Sequence, residues 1–374
     1  MKILYISTIH WSALKQRPQY LVELLAKWHK VDYVTFIDWY TIFQVLRKKE
    51  KLSNSKINNR NLRIYNLFRL PFSRLRLVFN LNNFIKKCTL AFLILKNKYD
   101  FIILMYPLDY LLLPSNTSAL IVYDCLDKMD SFVKNNNSIL KLMNKTEREL
   151  VENADLVTCS SEALKSYLNK YREKITVIKN GVDLELFEKI SLQNMDTIKQ
   201  STSYKLGFIG AIAEWVDIDF IKKIANKMPK MQFYFIGPLI SYNSREIENG
   251  KNIFYLGVKP HKEVPLLIKN LDICLFPFKI SDISKYSNPI KIYEYLALGK
   301  PVIARYWPEL KKEFGDLIYY YNNEEEFIEL INSIFKKETK EKIIERRKFA
   351  ELNSWSNRIK EFNELLLSVY NKTQ

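Results

Sequence analysis

Glycine is scarce in this chain, and none precedes Gly181. The eight that occur, Gly181, Gly207, Gly210, Gly237, Gly250, Gly257, Gly299 and Gly315, all lie from that point onward in the 374 residues. Backbone that turns tightly or approaches a phosphate closely needs residues without a side chain. A glycine-rich phosphate loop is therefore excluded near the N-terminus, and any backbone that approaches a phosphate closely is expected in the C-terminal half. Histidine is scarcer, with His10, His29 and His261 alone, and the four cysteines, Cys88, Cys125, Cys159 and Cys274, form no C-x-x-C pair. No structural zinc is expected, and free thiols suit a reducing, cytoplasmic compartment. Long apolar runs are missing too. Met1 to Ser7 turns polar too soon for a secretory segment, and Pro107 and Asp109 break the most apolar stretch, Phe101 to Leu113. No membrane span is expected.

The length is about twice that of a typical domain, so two domains are expected. Apolar and charged fractions of 48% and 26% are those of a globular protein with ample core. The net charge of +17 is concentrated: between Thr41 and Asp100 stand fourteen basic side chains and two acidic ones. There Tyr65, Leu67, Phe68, Leu70, Phe72, Leu75, Leu77 and Phe79 interleave with Arg63, Arg69, Arg74 and Arg76. An anionic membrane surface attracts each nearby base by roughly 1 kcal/mol and takes up inserted apolar groups. A nucleic-acid groove would use the same charges with aromatic stacking, and a strand and helix with a basic outer face would show the same pattern. The membrane surface is preferred, because no nucleic-acid module is recognisable.

The most informative stretch is Ile280 to Arg305, ISDISKYSNPIKIYEYLALGKPVIAR. Small polar residues lead to Asn288-Pro289, after which Ile290, Ile292, Tyr293, Leu296 and Ala297 share one helical face. Pro289 suits a first helical turn, where its missing N–H has no partner to lose. Free amides and the helix dipole at that end suit an anion such as a diphosphate, and Lys291 adds a full charge. Glu294 follows one turn later, where a carboxylate accepts hydrogen bonds from a diol such as a ribose. Gly299 closes the helix, and Pro301 to Ala304 begins a buried strand. A plain amphipathic helix with a solvated Lys and Glu is the competing reading.

With its P-x-K-x-x-E-x-x-A-x-G spacing, this stretch resembles the nucleotide-sugar signature of GT-B glycosyltransferases, more closely those of bacterial polysaccharide and teichuronic-acid type. The resemblance implies that Glu294 holds the donor ribose. It also implies an α/β fold of two Rossmann-like domains facing each other across a cleft, with the acceptor on the N-terminal domain.

In chain order, Lys2 to Ile6 reads as a buried strand. A loop with His10 and Arg17 follows, then a helix carrying Leu21, Leu24, Leu25 and Trp28 on one face. WSALKQRPQYLVELLA resembles the first loop and helix of the same group, which makes Arg17 and His10 candidates for acceptor or phosphate contact; a solvated Arg at a helix start is the alternative. Asp100 to Met105 and Ala119 to Tyr123 read as central parallel strands, and the second delivers Asp124 and Asp127 at its carboxyl end, where open α/β sheets gather functional groups. In inverting members of the family a carboxylate of the N-terminal domain takes the acceptor proton, and Asp124 or Asp127 is the candidate; helix capping by Asp127 or Asp130 is the alternative. The order NADLVTCSSEAL…VIKNGVDLELF also resembles GT-B chains.

Residues 1–185 are thus expected to form the first domain, 186–204 a linker and 205–354 the second, with a helix near 355–374 packing back on the first. In the second domain, Gly210 and Gly237 end strands, and Val258-Lys259-Pro260 resembles the family's base-binding loop, so Gly210, Gly237 and Lys259 join Asn288, Pro289, Lys291 and Glu294 as donor-site candidates. The chain departs from retaining members in three respects. The G-R-x-x-x-x-K-G loop is GAIAEWVDID, with Ala211 for the arginine; Tyr286 stands where the first acid of the E-x7-E pattern belongs; and the glycine-rich first loop is absent. Diphosphate binding then falls on Lys291, the amides near Asn288 and Lys259. The expected activity is metal-independent transfer from a nucleotide-diphosphate sugar, most simply a UDP-sugar, to a glycan or lipid-linked acceptor in cell-surface polysaccharide synthesis, without a cofactor. A nucleotide-sugar epimerase of the same fold and a non-enzymatic basic nucleic-acid or membrane-binding protein are the alternatives.

Overall fold

A computed structural model describes residues 1–38, 59–70, 76–133, 136–191, 203–248 and 250–373. The chain divides into two compact units, one of residues 1–179 with 359–374, the other of residues 180–358. Much of the basic segment, 41–58 and 71–75, lies outside the described residues, so the membrane reading of those positions does too.

The first unit is a seven-stranded sheet of β1 (Lys2–Ser7), β2 (Lys30–Asp38), β3 (Leu62–Arg69), β4 (Phe101–Leu104), β5 (Leu120–Cys125), β6 (Leu156–Cys159) and β7 (Thr176–Val177), in the order β3-β2-β1-β4-β5-β6-β7. Each described pairing is parallel. Parallel sheets are covered on both faces, which is why β4 is an unbroken apolar run and all four of its residues are buried. The C-terminal helix, Trp355–Thr373, supplies part of the cover. Its Phe362 and Leu366 are fully buried, Tyr370 packs against Phe101 of β4, and Asn363 Oδ1 lies 2.6 Å from His29 Nε2.

The second unit repeats the scheme with β8 (Lys205–Ile209), β9 (Gln232–Ile236), β10 (Ile253–Tyr255), β11 (Ile273–Phe276), β12 (Val302–Arg305) and β13 (Tyr319–Tyr321), in the order β10-β9-β8-β11-β12-β13, again with parallel pairings. Both sheets therefore wind outward in opposite directions from one central strand, β1 or β8. The point of reversal in such sheets opens a crevice beyond the carboxyl ends of the strands.

The stretch expected to be a linker, 186–204, begins inside a helix instead. Helix Leu184–Ser191 buries Phe187 in the second unit's core, with Leu184 and Leu186 packed against it. Those spaced apolar residues give the helix a face to bury, so the non-helical part of this stretch starts later; residues 192–202 lie outside the described set. Among the described residues no helix is long and apolar enough to cross a membrane, and the four cysteines are free thiols.

Candidate functional site

Glycine follows β8 and β9 directly, as Gly210 and Gly237, and follows β10 after one residue, as Gly257. Gly210 N donates to Ile236 O (2.9 Å), and Gly237 N donates to Gly257 O (2.9 Å). Gly237 has φ of +141°, and a Cβ there would come within 1.9 Å of Gly210 O. Only glycine lets these two backbones approach so closely. The result is a surface of bare backbone at the end of the central strand.

The helix Ile290–Ala297 is fastened beside that surface. Its Ile292, Tyr293 and Leu296 enter the core, while the Tyr295 hydroxyl accepts from Ile209 N at the last residue of β8 (3.0 Å). The side chain of Lys291 runs past Gly210, where an added Cβ would lie 3.5 Å from Lys291 Cε. Pro289 stands one position earlier than expected, as the residue before the first turn, and no side chain caps that end.

Glu294 is the buried charge of the cluster, only 3% exposed. Lys291 Nζ lies 2.8 Å from its Oε2, and His261 Nε2 lies 3.9 Å from its Oε1. Burial alone would raise the Glu294 carboxyl, but Lys291 and His261 outweigh it and hold the group below its ordinary value. It is therefore an ionised acceptor at neutral pH, and a vicinal diol is a fitting neutral partner for it. Lys291 is more exposed, with 27% of its side chain accessible, and can reach an anion outside.

Asn288 holds the loop rather than offering a free amide. Its Oδ1 accepts from Asn180 N (2.8 Å), its carbonyl accepts from Asn180 Nδ2 (2.7 Å), and its Nδ2 donates to Tyr293 Oη (3.0 Å). Tyr293 in turn donates to Glu313 Oε1 (2.8 Å). With these bonds made and 8% of the residue exposed, the side chain is a positioning group, which corrects its assignment as a donor ligand. Lys259 is half-buried two residues before His261, and the described contacts do not bring it into the Glu294 cluster. Tyr286 ends the short helix before Asn288, half-exposed.

In the first unit the structure overturns two expectations. Arg17 is not a surface ligand: it is 2% exposed, with Nε and Nη2 donating to Asp124 Oδ2 (3.0 Å) and Oδ1 (2.7 Å) and Nη1 to Ile178 O (2.6 Å). Asp124, fully buried, also accepts from Thr158 (2.8 Å). A carboxylate whose oxygens are all engaged and sealed from solvent cannot reach an acceptor proton, so Asp124 is a structural ion. Asp127 is half-buried beyond β5, and loss of hydration pushes its carboxyl up to about 6. His10 lies in the loop after β1, its Nδ1 2.7 Å from Ser12 Oγ; burial lowers its pKa, and a hydrogen bond to Asn66 acts in the other direction.

Comparison with known proteins agrees with this architecture. A model of glycosyltransferase family 4 matches residues 19–186, and a glycosyl transferase-like model matches residues 218–364. A curated Bacillus subtilis (strain 168) relative, named as a teichuronic acid biosynthesis glycosyltransferase, TuaH, is 30% identical over 214 residues; the match spans 54% of this chain and 54% of that protein. Among solved structures, sucrose-phosphate synthase from Thermosynechococcus elongatus superposes with a TM-score of 0.73 at 16% identity, covering 99% of both chains. Anabaena Alr3699/HepE, determined with UDP and glucose, gives 0.66 at 14% identity over 98% of this chain and 100% of that one. At such identities the structural likeness is one of fold. The fold is GT-B, and the two halves of the chain are each similar to a glycosyltransferase family model.

Proposed function

We propose that the chain transfers a glycosyl group from a nucleoside diphosphate sugar, a UDP-sugar, to a glycan or lipid-linked acceptor in cell-surface polysaccharide synthesis. The observation that carries this reading is the ionised, buried Glu294 paired with Lys291 beside the bare backbone of Gly210 and Gly237. Glu294 accepts the ribose hydroxyls. Lys291 and the uncapped amides of the Ile290 turn offset the charge that develops on the departing diphosphate, so the proposed reaction needs no divalent metal. The HepE structures with UDP and with UDP-glucose support the choice of donor, and the name of the Bacillus relative supports the choice of product.

The first unit would hold the acceptor, with Asp127 as the proposed base; a carboxyl pushed up to about 6 is poised near working pH. The basic segment 41–100 would rest on the anionic inner face of the cell membrane. The helix Arg76–Asn97 supports that placement, because Leu77, Leu81, Phe84, Phe92 and Leu95 are exposed on it among Lys86, Lys87 and Lys96. Calorimetric titration with UDP, alongside UDP release from a panel of UDP-sugars, tests the central reading: the wild-type protein binds UDP and Glu294→Ala does not. Equal affinity in the two proteins rejects the donor site.

A further inference from the structure

Beyond the last residue of β4, a cavity of about 430 Å³ opens in the first unit, within the range of small-ligand sites. Asn83, Lys86 and Lys87 of the helix Arg76–Asn97 line one side; Tyr106 and Asp109 come from the turn that follows β4. That turn leaves the carboxyl end of β4.

Asp109 is the anomaly. It is 5% exposed, and its Oδ2 has no hydrogen-bond partner among the described residues. Asp130 Oδ1 also has no hydrogen bond, but it has Lys128 Nζ 3.8 Å away, and the other described carboxylates of this unit as buried as Asp109 are satisfied. Asp124 is bonded by Arg17 and Thr158, Glu147 accepts from Tyr123 and Tyr167, and Asp32 accepts from Tyr99. An orphaned buried polar atom is a standing penalty, and its retention in the wall of a cavity is best explained by a ligand that supplies the missing bond.

The rest of the lining describes that ligand. Phe84, Leu111 and Leu142 line the same cavity and are 65%, 44% and 42% exposed, an unusual cluster of apolar groups facing water. Phe84 also belongs to the exposed row begun by Leu77 and Leu81, which recurs at helical spacing. Lys86 and Lys87 follow it two and three positions later and line the cavity with it. A polar end, an anionic link and a hydrocarbon tail would each find a match here.

We propose that this cavity is the acceptor subsite and takes an amphiphilic glycolipid. A sugar hydroxyl bonds Asp109, a phosphate or diphosphate link lies at Lys86 and Lys87, and hydrocarbon follows Phe84, Leu111 and Leu142. Calling the ligand an acceptor rests on the glycosyl-transfer reading; the binding site does not.

The test is calorimetry on the full chain with a short-chain prenyl-diphosphate-linked N-acetylhexosamine, with the free hexosamine and the sugarless prenyl diphosphate as separate arms. The linked probe is expected to bind more tightly than either fragment. Asp109→Leu should weaken it by about tenfold or more, because a site built to bond a hydroxyl discriminates strongly when that bond is lost. The same variant should keep its UDP affinity and unfold at no lower temperature, which a carboxyl serving only the fold would not allow. Lys87→Glu, at an exposed position, should weaken the linked probe and the prenyl diphosphate but not change the free sugar. Failure of the wild-type chain to bind the linked probe, or unchanged affinity in both variants, overturns the proposal. Binding of the probe by a chain that does not bind UDP would support the cavity while rejecting the donor site.

Discussion

Arg17 and Asp124, 107 positions apart, are joined by paired hydrogen bonds of 2.7 and 3.0 Å with neither side chain reaching solvent. The pair ties the start of the helix Arg17–Leu25 to the end of β5, and Arg17 Nη1 extends the tie to the carbonyl of Ile178 beyond β7. Removing one member leaves the other as a buried charge, and such losses amount to about 3–5 kcal/mol. Arg17→Met and Asp124→Leu should each lower the thermal unfolding midpoint of the first unit sharply. The double variant should recover much of the loss, since no ion is left unpaired. A midpoint in Asp124→Leu equal to that of the wild type would show that the pair contributes nothing.

Gly237 and Gly257 end neighbouring strands but should respond differently to substitution. A Cβ at Gly237 meets backbone, 1.9 Å from Gly210 O, at a φ of +141°; neither atom can give way cheaply. Gly237→Ala should cost at least about 2 kcal/mol and distort the donor surface. Gly257 also has positive φ, at +72°, but nothing lies within 4 Å of its added Cβ. Gly257→Ala should cost only about 1–2 kcal/mol, from backbone conformation alone. Paired urea titrations, with UDP affinity as a second readout, separate the two.

The Asp109 carboxyl is pushed up to about 7, by burial against a smaller opposing effect of Lys86. The groups around the cavity include Lys87 and Tyr106, whose own hydroxyl is raised first by burial and then by Asp109. An acid with a raised pKa stabilises the fold fully below its unfolded value near 4 and loses that contribution as pH climbs through 7. Burial pushes Asp127 and Glu147 in the same direction. Stability should therefore fall between pH 5 and pH 8, by at most about 2.5 kcal/mol for Asp109 alone. Asp109→Asn should flatten the curve and be the more stable protein at pH 8. Parallel denaturant curves for the two proteins at pH 5 and pH 8 that differ by the same amount would refute this.

The features that could be read in the amino-acid order are those governed by local periodicity. Apolar runs of strand length became β4 and β5, because a strand covered on both faces has no polar side to alternate with. The Pro289 to Gly299 stretch was legible for a similar reason: an eight-residue helix carries its own spacing, and Lys291 and Glu294 are a single turn apart. What escaped depends on distance. Nothing local marks Arg17 as the partner of a carboxylate in another strand, so a buried ion pair passed for a solvated Arg and a free base. His261 lies 33 positions before Glu294 and comes within 3.9 Å of it only because the fold brings the turn after β10 to the Ile290 helix; its position just after Val258-Lys259-Pro260, in a chain with three histidines, was the available clue. Phe187 was missed because polar residues soon follow it and masked its helical face.

Glu294 and Lys291 should separate when the ligand is dissected. Glu294 is held ionised by Lys291 and His261 against its burial, so it is suited to neutral hydroxyls, whereas the ammonium of Lys291 is suited to phosphate. Glu294→Gln should therefore weaken uridine and UDP by similar factors, about tenfold or more if both ribose hydroxyls are bonded. Lys291→Met should leave uridine little changed and weaken UDP selectively, with the loss shrinking at high salt. Because a depressed carboxyl stabilises the fold above its unfolded pKa and ceases to do so as pH falls through the folded one, Lys291→Met should also narrow the acid range over which the second unit stays folded. Calorimetry with the two ligands against both variants gives a two-by-two outcome. If Lys291→Met weakens uridine as much as UDP, the ammonium is acting through the shape of the helix rather than on the diphosphate, and the division of labour argued for this pair is wrong.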